Sequence, residues 1–585
     1  MSSSEVLTRV GLAGTKLLVT LKETLNPPQF GALTCCLSSI FCQPFKNKAR
    51  TELSNYFTLI QGPPGTGKTK VIVRLFHSLS IGKLISPQVT LTNVLHLLYF
   101  QQYFQGLDEI IQLERDASQK RKRSNQGMLE VHEPKPRILI CAPSNAGVDN
   151  IIQRLVESGF SQMDGSHYVP DIIRLSSGDA CLTATAKMFS VEPRVQALMN
   201  MSTAEWSAWY SRQYQTVAAT EERIKDMLKS NSHNSAIFDL YEVRDRALGD
   251  LARLERLRGL HAKSISGTLD WRRRQRIIDD ITMSFIDEAE IVCCTLSSVN
   301  ARRAFSASKP FKTIIVDEAC QANELTTLIP LSYNQTHCVL VGDPLQLPAT
   351  VKSKVAKDAH FDRSLFERLV FAGIQVNFLS VQFRMHSEIR AYPSAAFYGD
   401  RLVDAAVVET NRQSIHHRYW PFKPYAVFDI KHGMEQRSSN FSCYNQTEVS
   451  FIIRLILRYL KLNLCNEKRK IVVLSAYKAQ CRLLQGKLQE NGISTFVDVS
   501  TVDAFQGQES DIIILSCVRT SMVDIGFLAD TRRLNVALTR ARFSLWVVCN
   551  SAAVSKVPFW KNLIKDASTR GCLVPAKQVS NETTR

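Results

Sequence analysis

No apolar run in these 585 residues reaches the roughly 20 that a membrane-spanning helix needs. The first residues, MSSSEVLTRVGLAGTKLLVTLKE, mix both signs of charge, which suits neither a secretory signal nor a transit peptide. Fifteen cysteines are present, yet none forms a C-x-x-C pair. The adjacent Cys35/Cys36 and Cys293/Cys294 sit among apolar neighbours. They are expected as reduced core residues rather than zinc ligands or disulfides, which points to the nucleus, or else the cytosol. No internal repeat of fixed period occurs. Negative charge is also short: 54 Asp plus Glu stand against 72 Lys plus Arg, a formal charge of +18. An excess of that size suggests a polyanionic partner; charge alone would equally suit a membrane surface.

The apolar share of 45% is enough for large cores. At about 150 residues per domain, the length suggests three to four folding units. Apolar, β-branched segments recur with helical sequence between them: FTLI (57–60), RILICA (137–142), DIIRLS (171–176), EIVCCT (290–295), KTIIVDE (312–318) and HCVLVGD (337–343). A second series follows with YAVFDI (425–430), KIVVLSA (470–476), DIIILSC (511–517) and SLWVVCN (544–550). Such alternation predicts two α/β domains, each a parallel sheet covered on both faces, with a boundary near 377–405. Residues 81–136 interrupt the first series with an apolar helical stretch and the polar loop ERDASQKRKRSNQG. Residues 185–288 interrupt it again. There Leu240, Val243, Ala247, Leu251, Leu254 and Leu257 fall at helical spacing, predicting a helical hairpin that projects from the first domain.

GPPGTGKT, Gly62 to Thr69, follows a strand and opens a helix, the context a phosphate-binding loop requires. In the loop Gly62, Pro63, Pro64, Gly65, Thr66 and Gly67, the glycines would let successive backbone N–H groups point onto phosphate oxygens. Lys68 can reach the β- and γ-phosphates, and the Thr69 hydroxyl can ligate Mg²⁺. TIIVDEACQ delivers Asp317 and Glu318 to the end of a buried strand, where open α/β sheets bind ligands. Asp317 would hold Mg²⁺ and Glu318 would orient and deprotonate the attacking water. A third strand ends in VGDPLQLPAT, whose Gln346 can position water and report hydrolysis.

Taken together, GPPGTGKT, APSNAGVD, DEACQ, VGDPLQLPAT, VQFRMH, VDAFQGQE and NVALTRAR resemble, in order and spacing, the superfamily one helicases of the nonsense-mediated-decay type. The senataxin branch is the nearer match, through CCTLSS, DEACQANELTTLIPL, SLFERL, YPSAAFYGDRL and GFLADTRRLNVALTRAR. The resemblance implies two tandem RecA-like P-loop domains, at 29–376 and 377–570, with a loop insertion at 81–136, a helical insertion at 185–288 and a tail at 571–585. It implies that Gln29 reads the adenine edge, Phe383 stacks on the base and Glu509 bonds the ribose. Arg384 and Arg540 resemble two arginine fingers supplied by the second domain. On the residues alone, Arg384 could instead pair with an acid such as Asp343.

Pro143, Ser144 and Asn145, with Thr295 and Ser297, follow strands of the first domain; Ser475, Tyr477 and Thr501 follow strands of the second. By resemblance they form a backbone track for single-stranded RNA or DNA across both domains; singly, each could be a helix cap. Gly147 and Ala476 stand where the family usually has alanine and proline. QKRKRS (119–124) could be a nuclear localisation signal, a phosphate contact or a solvated charge run; DWRRRQR (270–276) is expected on a helix surface. Only 28 residues precede Gln29, too few for the small β-barrel and stalk that relatives carry there: either the sequence is truncated or begins late, or the barrel is absent, and ATP hydrolysis is expected in each case. The implied protein is a monomeric, ATP- and Mg²⁺-dependent 5′-to-3′ helicase or translocase acting on single strands and RNA–DNA hybrids. Its alternative is an ATP-regulated RNA clamp that separates strands poorly. RNA-processing or transcription-termination factors would be its protein partners.

Overall fold

The computed structural model describes residues 24–41, 56–81, 137–158, 183–229, 271–299, 311–333, 337–462, 469–521 and 525–581, with short stretches between 160 and 175 and between 240 and 255. The polar loop and the QKRKRS run lie outside the described residues, as does Leu257.

Seven strands form the first sheet: β1 (Phe57–Gln61), β2 (Ile138–Ala142), β3 (Ile172–Arg174), β4 (Ile291–Thr295), β5 (Thr313–Val316), β6 (His337–Gly342) and β7 (Val376–Phe378). All pair in parallel, in the spatial order β3-β4-β2-β5-β6-β1-β7. Alternate residues feed opposite faces. Leu139, Cys141, Ile314, Val316 and Leu340 pack on one side, while Ile138, Ile140, Ile315, Val339 and Val341 pack on the other. That division is why these runs read as continuously apolar: a strand covered on both faces has no polar side.

The second sheet holds β8 (Tyr425–Asp429), β9 (Ile471–Ser475), β10 (Val497–Thr501), β11 (Ser510–Ser516), β12 (Ala541–Cys549) and β13 (Leu573–Pro575). It too is wholly parallel, in the order β10-β9-β11-β12-β8-β13, with one core on each face. The two sheets are the two α/β domains that the strand series predicts. Three strands had no prominent sequence signal. β7 and β13 are three residues long, and β10 is half-buried and carries Asp498 and Ser500. The adjacent cysteines behave as core thiols: Cys36, Cys293 and Cys294 are buried and free.

The insertion between β3 and β4 is less separate than a projecting hairpin. Its helices Val191–Met199 and Trp271–Glu288 bury Val195, Leu198, Ile281 and Ile286 in the core beneath the first sheet. Along the expected stripe, Ala247 and Leu254 are buried, whereas Val243 is exposed. Arg253 anchors that segment through Asp250 and Glu288, both at 2.5 Å. Trp271 stands exposed at the start of the last helix, on the surface expected of it.

Candidate nucleotide site and strand track

The P-loop leaves the end of β1 and turns into the helix Lys68–Ile81. Gly65 and Gly67 have φ of +76° and +78°, the left-handed backbone that an L side chain strains to adopt. Lys68 Nζ donates to Gly62 O at 2.9 Å and stands 3.7 Å from Glu318 Oε1. Glu318 itself has φ of +50°, uncommon for a non-glycine residue. It turns the chain sharply after β5, and its backbone N–H donates to Asp317 Oδ1 at 2.9 Å. Burial, and then the Glu318 charge, push the Asp317 carboxyl up to about 7. Beside Asp317 and Glu318, Lys68 is the cation that the structure brings close.

Gln346 lies across the cleft from Arg540. Its amide donates to Asp343 Oδ2 at 2.9 Å, and its Oε1 accepts from Arg540 Nη2 at 3.0 Å. Arg540 is buried, and desolvation, followed by the nearby Arg384 charge, lowers its guanidinium to about 9. Asp343 also accepts from Tyr398 Oη at 2.7 Å, and Tyr398 in turn accepts from Asn535 Nδ2 at 2.7 Å. These bonds join the first sheet to the second. The reading of the sequence missed Tyr398 and Asn535, although both lie inside motifs it singled out, YPSAAFYGDRL and NVALTRAR.

Arg384 takes a different acid from the one the residues suggested. Its Nε donates to Glu509 Oε2 at 2.6 Å and its Nη1 to Thr539 O at 3.0 Å, while Asp343 is occupied as above. Burial would raise the Glu509 carboxyl, but Arg384, Arg542 and Arg154 together turn the net shift downward. Phe383 is fixed through its backbone, donating to Gly65 O at 2.9 Å. Arg412 was also missed: it caps two successive carbonyls, Phe383 O and Arg384 O, each at 2.8 Å. Gln29 is buried against the loop. Its amide donates to Thr66 O at 2.8 Å, while its Oε1 accepts from Asn26 N at 3.3 Å.

The expected strand track divides. Ser144, Asn145 and Ser297 are exposed beyond β2 and β4, Pro143 and Thr501 are half-buried, and Asn145 Oδ1 is steadied by Arg174 at 2.9 Å. Thr295, Ser475 and Tyr477 depart from the expectation because their side chains are buried and bonded internally. Thr295 Oγ1 pairs with Ser298 Oγ at 2.6 Å, Ser475 Oγ donates to Ser516 O at 3.0 Å, and Tyr477 Oη to Ile525 O at 3.3 Å. They brace the strand ends rather than lining a surface.

Two family models, each described as an AAA domain, match residues 39–354 and 361–552. The chain belongs to the AAA-domain family, and the relatives it resembles are helicases. Helicase sen1 of Schizosaccharomyces pombe is 33% identical over 583 residues, covering 95% of this chain and 31% of its own length. Probable helicase MAGATAMA 3 of Arabidopsis thaliana is 31% identical over 564 residues, covering 90% of this chain and 60% of its own length. Probable helicase senataxin of Homo sapiens is 31% identical over 567 residues, covering 88% and 18% respectively. The chain therefore spans less than two thirds of each of these relatives. Asp317, Glu318 and Gln346 follow the carboxyl ends of the first sheet's strands, and Arg540 of the second domain reaches Gln346 from the opposite side.

Proposed function

We propose that this chain is an ATP- and Mg²⁺-dependent, nucleic-acid-stimulated ATPase that moves 5′ to 3′ along single-stranded RNA or DNA as a monomer, and that unwinds duplexes including RNA–DNA hybrids. The observation that carries this reading is the bond between Gln346 and Arg540, which ties the second domain to the strand ends that hold Lys68, Asp317 and Glu318. A cleft built from two bodies lets ATP binding favour closure and lets hydrolysis release it.

In this reading Lys68 leaves Gly62 O for the β- and γ-phosphates. Glu318 takes the proton of the attacking water. Gln346 orients that water and passes its position to Arg540 through their shared bond. Arg384 turns from Glu509 toward the γ-phosphate, which frees Glu509 for the ribose while Phe383 meets the base. Asp317 and Thr69 would hold Mg²⁺, which would supply charge to offset that of the phosphates. Ser144, Asn145, Ser297 and Thr501 meet the strand backbone, and the +18 formal charge suits such a polyanion. We assign action to the nucleus.

The test measures ATP turnover with and without single-stranded RNA and DNA, alongside strand displacement on tailed duplexes and hybrids. Stimulated turnover with 5′-to-3′ displacement is expected. Stimulated turnover without displacement would favour the clamp, and turnover indifferent to both polymers at low salt would overturn the coupling.

A further inference from the structure

Tyr477 is buried, so the ring that the sequence offers to a nucleic-acid strand cannot be the one that meets it. Another ring stands beside it. Phe527 is 59% exposed and lies edge-on to Tyr477, with ring centroids 6.0 Å apart. The backbone that carries it is held on both sides. Tyr477 Oη donates to Ile525 O at 3.3 Å, Asp530 N to Phe527 O at 3.4 Å, and Trp560 Nε1 to Leu528 O at 2.8 Å. Gly526 makes the turn at φ +56°, where an added Cβ would meet Arg519 Nη1 at 3.0 Å and Tyr477 Oη at 3.2 Å. A rigid, glycine-turned loop thus presents a single solvated aromatic ring.

The ring's surroundings favour a neutral π-face over a phosphate. Arg533 lies 5.3 Å from the Phe527 centroid, but its guanidinium is already held by Asp503 at 2.7 Å and by Asp530 at 3.1 Å. The guanidinium nearest the ring is thus engaged by two carboxylates rather than left for a phosphodiester, whereas a base needs only an exposed face and a stiff support. The loop also lies beside the end of β9, where Tyr477 follows Ser475. We propose that Phe527 is a base-stacking platform for single-stranded nucleic acid, with Tyr477 as the positioning residue behind it. This rests on the strand-binding reading above and adds to it a contact with bases rather than backbone.

The test uses the full chain and fluorescent single-stranded RNA of two kinds, one with all its bases and one with abasic sites along an intact sugar–phosphate backbone. Wild-type affinity for the intact strand comes first; if no strand binds at any salt, the strand-binding reading itself fails. With binding established, Phe527→Ala should weaken the intact strand roughly fivefold to a hundredfold, the range that loss of one stacked base spans. Phe527→Trp should restore it, while Phe371→Ala, which removes a still more exposed ring on the first domain, should not weaken it. The abasic strand should bind wild type and Phe527→Ala alike. The slope of log affinity against log salt should be the same for both proteins, because stacking releases no counterions. Equal affinity of wild type and Phe527→Ala for the intact strand would overturn the proposal. So would an equal loss on the abasic strand or a shallower salt slope, since either would mean a backbone contact. Melting temperature is measured on each variant, and a Phe527→Trp protein that folds like wild type but binds like Phe527→Ala also overturns it.

Discussion

Arg384 and Glu509, 125 residues apart, hold each other at 2.6 Å on the second domain's side of the cleft. Their assigned roles lie on different parts of one ligand, the γ-phosphate and the ribose. The pair therefore has to separate, or at least rotate, for both to act. Arg384→Ala should lower turnover by on the order of 10³ and change ATP affinity little, because the cation works mainly in the transition state. Lysine should rescue poorly, since an ammonium lacks the forked donor set. Single-turnover hydrolysis and melting temperature on the same samples check this. A destabilised Arg384→Ala protein with normal turnover would reduce the pair to a structural one.

Asp317 sets a pH dependence whose sign can be worked out. Its folded carboxyl sits at about 7, chiefly through burial and then through Glu318, against an ordinary value near about 4. Between those values the folded chain keeps a proton that the unfolded chain has lost. This group's contribution to stability is thus present at low pH and is lost as pH rises through about 7. Without nucleotide or metal, Asp317→Asn should melt above wild type near pH 8, with a margin that shrinks toward zero near pH 4. Buried Glu448 also titrates near about 7, but it is common to both proteins and cancels in the difference. A margin that grows toward acid would contradict this assignment.

Tyr398→Phe removes one hydroxyl from the network that crosses the cleft. Asp343 loses a charge-assisted bond, and Asn535 keeps only Leu345 O, at 2.8 Å. A bond of that kind contributes about 1.5–3 kcal/mol, and in domains of this size each kcal/mol moves the melting point by roughly 2–4 °C. A fall of several degrees by calorimetry is the expected outcome, with the transition broadening if the two domains then melt separately. An unchanged melting curve would mean that the network adds nothing to domain contact.

Strand affinity should fall steeply with salt and depend little on sequence. For single strands, log affinity against log salt should slope by about −0.7 for each phosphate neutralised. Removing an exposed track residue by Asn145→Ala should weaken RNA and DNA of any sequence to a similar degree. A flat salt response, or a strong sequence preference, would count against a backbone track.

The sequence declared what chemistry forces into local pattern. GPPGTGKT spells out a strand–loop–helix phosphate cradle because so few residue types permit that turn, and the β-branched runs spell out strands covered on both faces. Partners were harder to read. Arg384 has several acids within reach of a guess, and nothing in VQFRMH distinguishes Asp343 from Glu509. By resemblance Tyr477 reads as a strand contact; it is buried instead against Cys443 and Val518, with its hydroxyl on Ile525 O, beyond two intervening strands. The insertion's stripe showed a helix but not how far its neighbours sink into the first core, since that depends on tertiary packing against Ile281 and Ile286.

The three glycines of the P-loop are each hemmed in by a different part of the protein. A Cβ at Gly62 would strike Lys68 Cγ at 2.1 Å, one at Gly65 would strike Arg384 Cβ at 2.6 Å, and one at Gly67 would strike Gln29 Nε2 at 2.5 Å. The loop is thus a keyed slot as well as a phosphate cradle, cut on one side by its own helix, on another by the second domain, and on a third by the helix Pro27–Phe41. A methyl at residue 65 would act as a shim, holding the two domains ajar so that Arg384 stands back from the loop while Lys68, Asp317 and Glu318 keep their places on the first domain.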